Sequence, residues 1–260
     1  MKLKFLVRTV LFVLLTLFFV VYMAPADKVL SLVKLPPDIK LYHVSGDIWD
    51  GKISAVETNG LRIRNVGWRL TPLTLFFIKG ANITVNDEAL GKASLGIDLL
   101  NIEKITSLSD VKFNSSLDKL YPFFKDQLPF PLSISGKLTG EFSDVAISNK
   151  GGLQTINGQV NGTEISVDHP FEPGTKIIIG EVELKVRGNA SDLKINLEQN
   201  SEQFEFSGTI GLRNMSDLTI DGDLIPKGGM PESLQSLLPM LGKADANGKI
   251  KIHFTQKINN

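Results

Sequence analysis

The sequence contains no cysteine. That excludes a disulfide framework, thiolate metal sites, a cysteine nucleophile and a lipid-modified cysteine. It does not exclude an oxidising compartment, where a chain without thiols cannot mispair. A surplus of one charge is missing as well, since 28 Lys and Arg stand against 28 Asp and Glu. Without a basic surplus to track phosphates, the composition does not indicate nucleic-acid binding. Histidine is scarce: His43, His169 and His253 stand alone, none with a His, Asp or Glu at ligand spacing on a shared face. Phosphate loops, nucleophile elbows and the H-E-x-x-H zinc motif do not occur. Asp221-Gly222-Asp223 has too few alternating oxygen donors for a cation loop and reads as strand and turn. Folding can bring any two carboxylates together, but nothing singles out a pair. The expectation is a protein without catalytic residues, metal or cofactor.

What charge there is lies unevenly. Lys2, Lys4 and Arg8 are the only charges before Asp27, and the remainder of the chain carries 25 basic against 28 acidic side chains. Between Thr9 and Ala26 run 18 uncharged residues, TVLFVLLTLFFVVYMAPA. As a helix they would reach about 27 Å, close to the roughly 30 Å of a bilayer hydrocarbon core. The basic residues precede the span, so the positive-inside rule places residues 1–8 in the cytoplasm and residues 27–260 beyond the membrane. Tyr22 and Pro25 suit the outer interface. A cleavable signal peptide competes, because Ala24-Pro25-Ala26 has the small-x-small form of a cleavage site. The apolar run is longer than a usual signal core, and Phe, Leu and Val on every side argue against a buried core helix.

Beyond Val44 the dominant period is two. Leu132, Ile134, Gly136, Leu138, Gly140 and Phe142 alternate with polar residues, and the same form recurs around Phe204–Leu212, Leu218–Leu224 and Ile250–Phe254. Such alternation gives a sheet one apolar face. Turn pairs (Asn59-Gly60, Lys79-Gly80, Asn161-Gly162, Gly188-Asn189) separate the runs where crossover helices would otherwise lie. The fold class expected is mainly β: an amino-terminal transmembrane helix, then one strongly curled antiparallel sheet, a half-barrel or taco-like meander, with one or two short helices. Glycines in the apolar register (Gly136, Gly140, Gly208, Gly222, Gly248) are read as the bends that let the sheet curl. The helices are expected at residues 116–125 and 231–242, the second capping an open end of the sheet. Gln127-Leu128-Pro129-Phe130-Pro131 marks a division into two half-sheets. Two short helices cannot cover so wide an apolar face; it must fold on itself, meet a partner or hold lipid.

Two segments stand out. Ser45-Gly46-Asp47-Ile48-Trp49-Asp50-Gly51 and Trp68-Arg69-Leu70-Thr71-Pro72-Leu73 contain both tryptophans. Trp49, Trp68 and Arg69 are the candidate contacts: they either set strand register inside the sheet or touch a partner or the membrane interface. The basic tip, the span ending in Ala24-Pro25-Ala26 and these two motifs resemble the N protein family of the type II secretion system, the general secretion pathway protein N. The carboxy-terminal pattern Gly222-Asp223-Leu224-Ile225-Pro226, then Leu234, Leu238, Leu241-Gly242, Asp245 and Gly248, adds to the likeness. The resemblance implies a single-pass protein of the Gram-negative inner membrane with a periplasmic body. It implies a non-enzymatic role in exporting folded proteins across the outer membrane, with other inner-membrane subunits or the secretin channel as partners. It carries over no site residues. The one-sided sheet after an anchor also looks like AsmA-like lipid-bridging proteins, which would use an apolar concave face for acyl chains.

Overall fold

Period-two alternation, rather than any helical period, sets the architecture. The computed structural model describes every residue except 1–8, 10, 14, 17, 21, 33–35, 59–60, 71–79, 99–104, 126–132, 149–151, 170–171, 173, 215, 237 and 258–260. The basic tip, the Asn59-Gly60 turn, Pro72, Leu73 and the stretch 127–131 therefore lie outside the described residues. The chain forms two units, Met1–Glu88 and Ala89–Asn260.

In the first unit β1 (Lys40–Gly46), β2 (Asp50–Thr58), β3 (Leu61–Leu70) and β4 (Ala81–Asp87) pair antiparallel in chain order, after the short helix α1 (Ala26–Leu32). Alternate residues of β2, namely Gly51, Ile53 and Ala55, are buried. With Ala26, Trp49 and Ala81 they make a core of mostly small side chains. Among the described residues no helix is long and apolar enough to cross a membrane. The described residues from Thr9 to Tyr22 are helical all the same, with Thr16 Oγ1 donating to the Phe12 carbonyl at 2.8 Å.

The second unit begins with β5 (Gly91–Asp98), β6 (Ile105–Ser116), the helix α2 (Leu117–Phe124), β7 (Ile134–Ser148) and β8 (Leu153–Asp168). It continues with β9 (Lys176–Gly188), β10 (Asp192–Asn200), β11 (Phe204–Arg213), β12 (Asp217–Pro226) and, after two helical turns, β13 (Ile250–Lys257). Each strand pairs antiparallel with the next along the chain. Local side chains set the turns. Asn189 Oδ1 accepts from the Ser191 and Asp192 amides at 2.8 and 3.0 Å, closing the β9–β10 turn. The expected antiparallel meander is what forms.

Register turns the alternation into two continuous rows on opposite faces. Val111, Phe142, Gly158, Val186, Ile195, Ile210, Ile220 and Phe254 are successive cross-strand partners from β6 to β13. One residue along each strand, Lys112, Glu141, Gln159, Lys185, Asn196, Thr209, Asp221 and His253 form an equally unbroken polar row. A one-residue slip at any pair would exchange the faces, so the alternation fixes the register. The polar row is tied by Lys112–Glu141 at 3.3 Å, Thr209 to Asn196 at 3.1 Å, and a hydrogen bond between His253 and Asp221.

The strong curl expected from glycine is not found. Gly136 is at a bulge between β7 and β8, as expected of a bend, whereas Gly140, Gly208 and Gly222 seat aromatic rings from their own or neighbouring strands. A Cβ on Gly140 would lie 2.0 Å from the ring of its partner Phe113, and one on Gly158 would lie 2.4 Å from that of Phe142. Gly208 and Gly222, paired with each other, both lie under the Phe206 ring. Missing side chains here make room for cross-strand rings, the sheet counterpart of aromatic rescue. Gly140→Ala is expected to destabilise the second unit by about 1–3 kcal/mol through overpacking. Urea unfolding of Gly140→Ala, and of the Gly140→Ala/Phe113→Ala pair, checks this: most of the Gly140→Ala penalty should vanish in the Phe113→Ala background.

The helix expected over residues 231–242 is two separate turns, α3 (Glu232–Gln235) and α4 (Leu238–Leu241). Pro239 explains the break: it has no amide to donate, and its ring would strike the carbonyl of Gln235 in a continuous helix. Met240 and Leu241 are left exposed, while Ser233 in the first turn lies against His169, the residue that follows β8. The other helix forms as expected at α2, despite Pro122 inside it.

Candidate interaction surface

The tryptophan motif builds a compact clasp in the first unit. Asp47 Oδ1 accepts from the amides of Trp49 and Asp50, both at 2.8 Å, and so folds the tip of the β1–β2 hairpin. The tip turns the Trp49 indole inward, where it is only 8% exposed. Its Nε1 donates to the carbonyl of Tyr22 at 2.9 Å, and the two rings lie with centroids 6.0 Å apart. Ile48 N donates to the Ala24 carbonyl, and Pro25 bridges Asp47. The segment leaving the amino-terminal helix is thus stitched to the hairpin tip at successive positions.

Trp68 holds the same tip from β3. Its Nε1 donates to the Ile48 carbonyl at 3.1 Å, and its ring lies across Gly51, where an added Cβ would come within 2.0 Å of it. Leu70 N donates to the Trp49 carbonyl at 2.6 Å. Arg69 points the other way, its guanidinium 3.1 Å from Asp50 Oδ2 with both side chains exposed. The structure therefore brings Trp49, Trp68 and Arg69 to one hairpin tip, with the two tryptophans occupied by contacts inside the chain. Sequence reasoning named Tyr22 and Ala24 at the end of the span and Asp47 in the motif, but missed that they meet at this tip. Their signal was the Asp-x-x-Asp-Gly spacing at 47–51, which marks a tight tip, and the brief interval between the apolar run and that tip.

Among the described residues no group of three His, Asp or Glu side chains could hold a metal ion. His169 is buried, with Nε2 3.0 Å from Ser233 Oγ, and His253 lies on the exposed polar row. The open hollows of the second unit, up to about 820 Å³, are lined by polar-row residues such as Lys112, Glu141, Gln159, Lys185 and Asn196. Val111, Phe142, Gly158 and Val186 of the apolar row also line the largest of these, and among the described residues no large side chain is fully buried.

One perturbed carboxyl lies at the turn before β13. The Asp245 side chain accepts from the amides of Lys249 and Asn247, which hold its carboxyl below the ordinary range. A lowered folded value favours the turn above the ordinary carboxylate range, and the benefit is lost as pH falls through the lowered value. In an NMR titration the Asn247 and Lys249 amides should therefore shift together at a pH below that of an ordinary aspartate. Titration in the ordinary range would show that the two hydrogen bonds do not persist.

The family profile described as type II secretion system (T2SS), protein N, matches residues 37–253. That span takes in all thirteen strands except the end of β13. The chain belongs to the type II secretion system protein N family. Among its relatives is a type II secretion system protein N of Aeromonas hydrophila, 25% identical over 266 aligned positions that cover 99% of this chain and all of that one. Another, from Pectobacterium carotovorum subsp. carotovorum, is 22% identical over 235 positions, 90% of each chain. No solved structure matches. As a protein N family member, the chain is a component of a type II secretion system, at work in protein secretion.

Proposed function

We propose that the protein is a non-catalytic component of the type II secretion machine, held in the inner membrane by its amino-terminal helix. Residues 1–8 lie in the cytoplasm and the strand-rich body in the periplasm, where it assists export of folded proteins across the outer membrane. Its partners are other inner-membrane subunits of the machine or the secretin channel. The observation that carries this is the protein N match across nearly the whole body. The amino-terminal stretch adds to it: Leu11, Phe12, Val13, Leu15, Phe18 and Phe19 are all exposed among the described residues. Cross-linking the full chain in cells and identifying what is joined to it tests the reading. Secretion subunits or the secretin should be captured; their absence, with unrelated envelope proteins captured instead, would overturn it.

A lipid-holding body is the second reading, favoured by the half-exposed apolar row of the second unit. It asks for an apolar hollow, whereas the hollows have mixed linings in which Lys112, Glu141 and Lys185 stand beside Val111, Phe142 and Val186. Native mass spectrometry of the body should show no retained lipid; retained phospholipid would revive it.

A further inference from the structure

Leu11, Phe12, Val13, Leu15, Phe18, Phe19 and Val20 are between 47% and 71% exposed. At about 100° per residue, these positions take up roughly 220° of a helix's circumference, and the sequence from Thr9 to Ala26 carries no charge on any side. A helix that is apolar all round and uncovered by its own chain has lipid as its natural surroundings. Where such a helix ends, its last carbonyls lack partners within the helix. Here the hairpin tip supplies them: the Trp49 indole N–H reaches the Tyr22 carbonyl, and the Ile48 amide reaches that of Ala24. Tyr22 and Trp49, the two ring systems in contact at this point, are of the amphipathic kind that settles between hydrocarbon and water.

Resting on the membrane reading above, we propose that the Asp47–Asp50 tip of the first unit stands at the lipid headgroup level, clasped to the emerging end of the helix. The body would then have a fixed stance on the bilayer instead of hanging from a loose tether. Asp47, Asp50 and Arg69 face the headgroup region as a polar rim, and Trp49 sits at the boundary. Ala24-Pro25-Ala26 becomes a structural joint. Its Pro25 pairs with Asp47, and Ala26, 1% exposed, opens α1. The Ala24 carbonyl and Pro25 are held by the hairpin tip, and Ala26 is buried in the fold of the first unit. The joint is therefore retained and the helix stays attached.

The test uses the full chain in phosphatidylcholine vesicles brominated at defined acyl depths. Trp68→Phe leaves Trp49 as the sole tryptophan. Its emission should be quenched several-fold more by bromines near the headgroup than by those near the methyl end. The mass of wild-type chain extracted from cell membranes is measured in parallel and should include every residue before Asp27. If the chain stays with the vesicles but Trp49 is quenched at no depth, the stance is wrong while the membrane reading stands. If the chain leaves the vesicles, the membrane reading falls and the stance with it. A mature chain beginning at Asp27 overturns the joint.

Discussion

Trp49→Ala is expected to lower the stability of the first unit by about 3–5 kcal/mol, the usual cost of truncating a buried tryptophan. The side chain is nearly the largest element of a core otherwise built from Ala26, Ile53, Ala55 and Ala81, so its neighbours cannot collapse into the space. The Tyr22 carbonyl also loses its indole donor. Denaturant unfolding followed by Trp68 emission measures the loss. Arg69→Ala is the matched control at the same tip: its ion pair with Asp50 is exposed and should contribute no more than about 1 kcal/mol. Equal losses from the two substitutions would show that the clasp does not hold the unit together.

On the proposed membrane reading, Phe12→Arg combined with Leu15→Arg should release the protein from the membrane. Each guanidinium costs about 2.5–3.5 kcal/mol at the centre of a spanning helix on the insertion scale. Neither position has a partner within the chain to offset that, since both side chains are exposed. Alkaline carbonate extraction should find wild type in the pellet and the double variant in the supernatant or degraded. A double variant that stays in the pellet would mean that the helix is not what holds the protein to the membrane.

The sheet was legible in the sequence because its period is carried by nearly every strand residue. Val186 beside Lys185, or Ile210 beside Thr209, can only alternate faces, and register then follows strand by strand. Gly136 does mark a bulge, but Gly140, Gly208 and Gly222 misled for a local reason. A glycine in an apolar register looks the same whether the backbone bends there or a ring lies over it, and only the cross-strand partner decides. Phe113 opposite Gly140 and Trp68 opposite Gly51 are such partners, each far from its glycine in sequence. The Leu spacing before β13 reads as one helix with a kink at Pro239, but the clash of that ring with a carbonyl four residues earlier divides it into two turns. At the candidate surface the motif residues were visible, but not that Trp49 turns inward onto Tyr22. That contact joins two segments whose patterns mark a tight tip and the end of an apolar run, but not which ring meets which carbonyl.

The central claim is that this chain serves protein secretion as an anchored component without chemistry of its own. The most direct measurement is export itself in a strain from which the chain has been deleted. Folded substrates should accumulate in the periplasm and be restored to the medium by the full chain, with wild-type residues at His169 and His253 dispensable for that restoration. Unchanged export in the deletion strain would contradict the account.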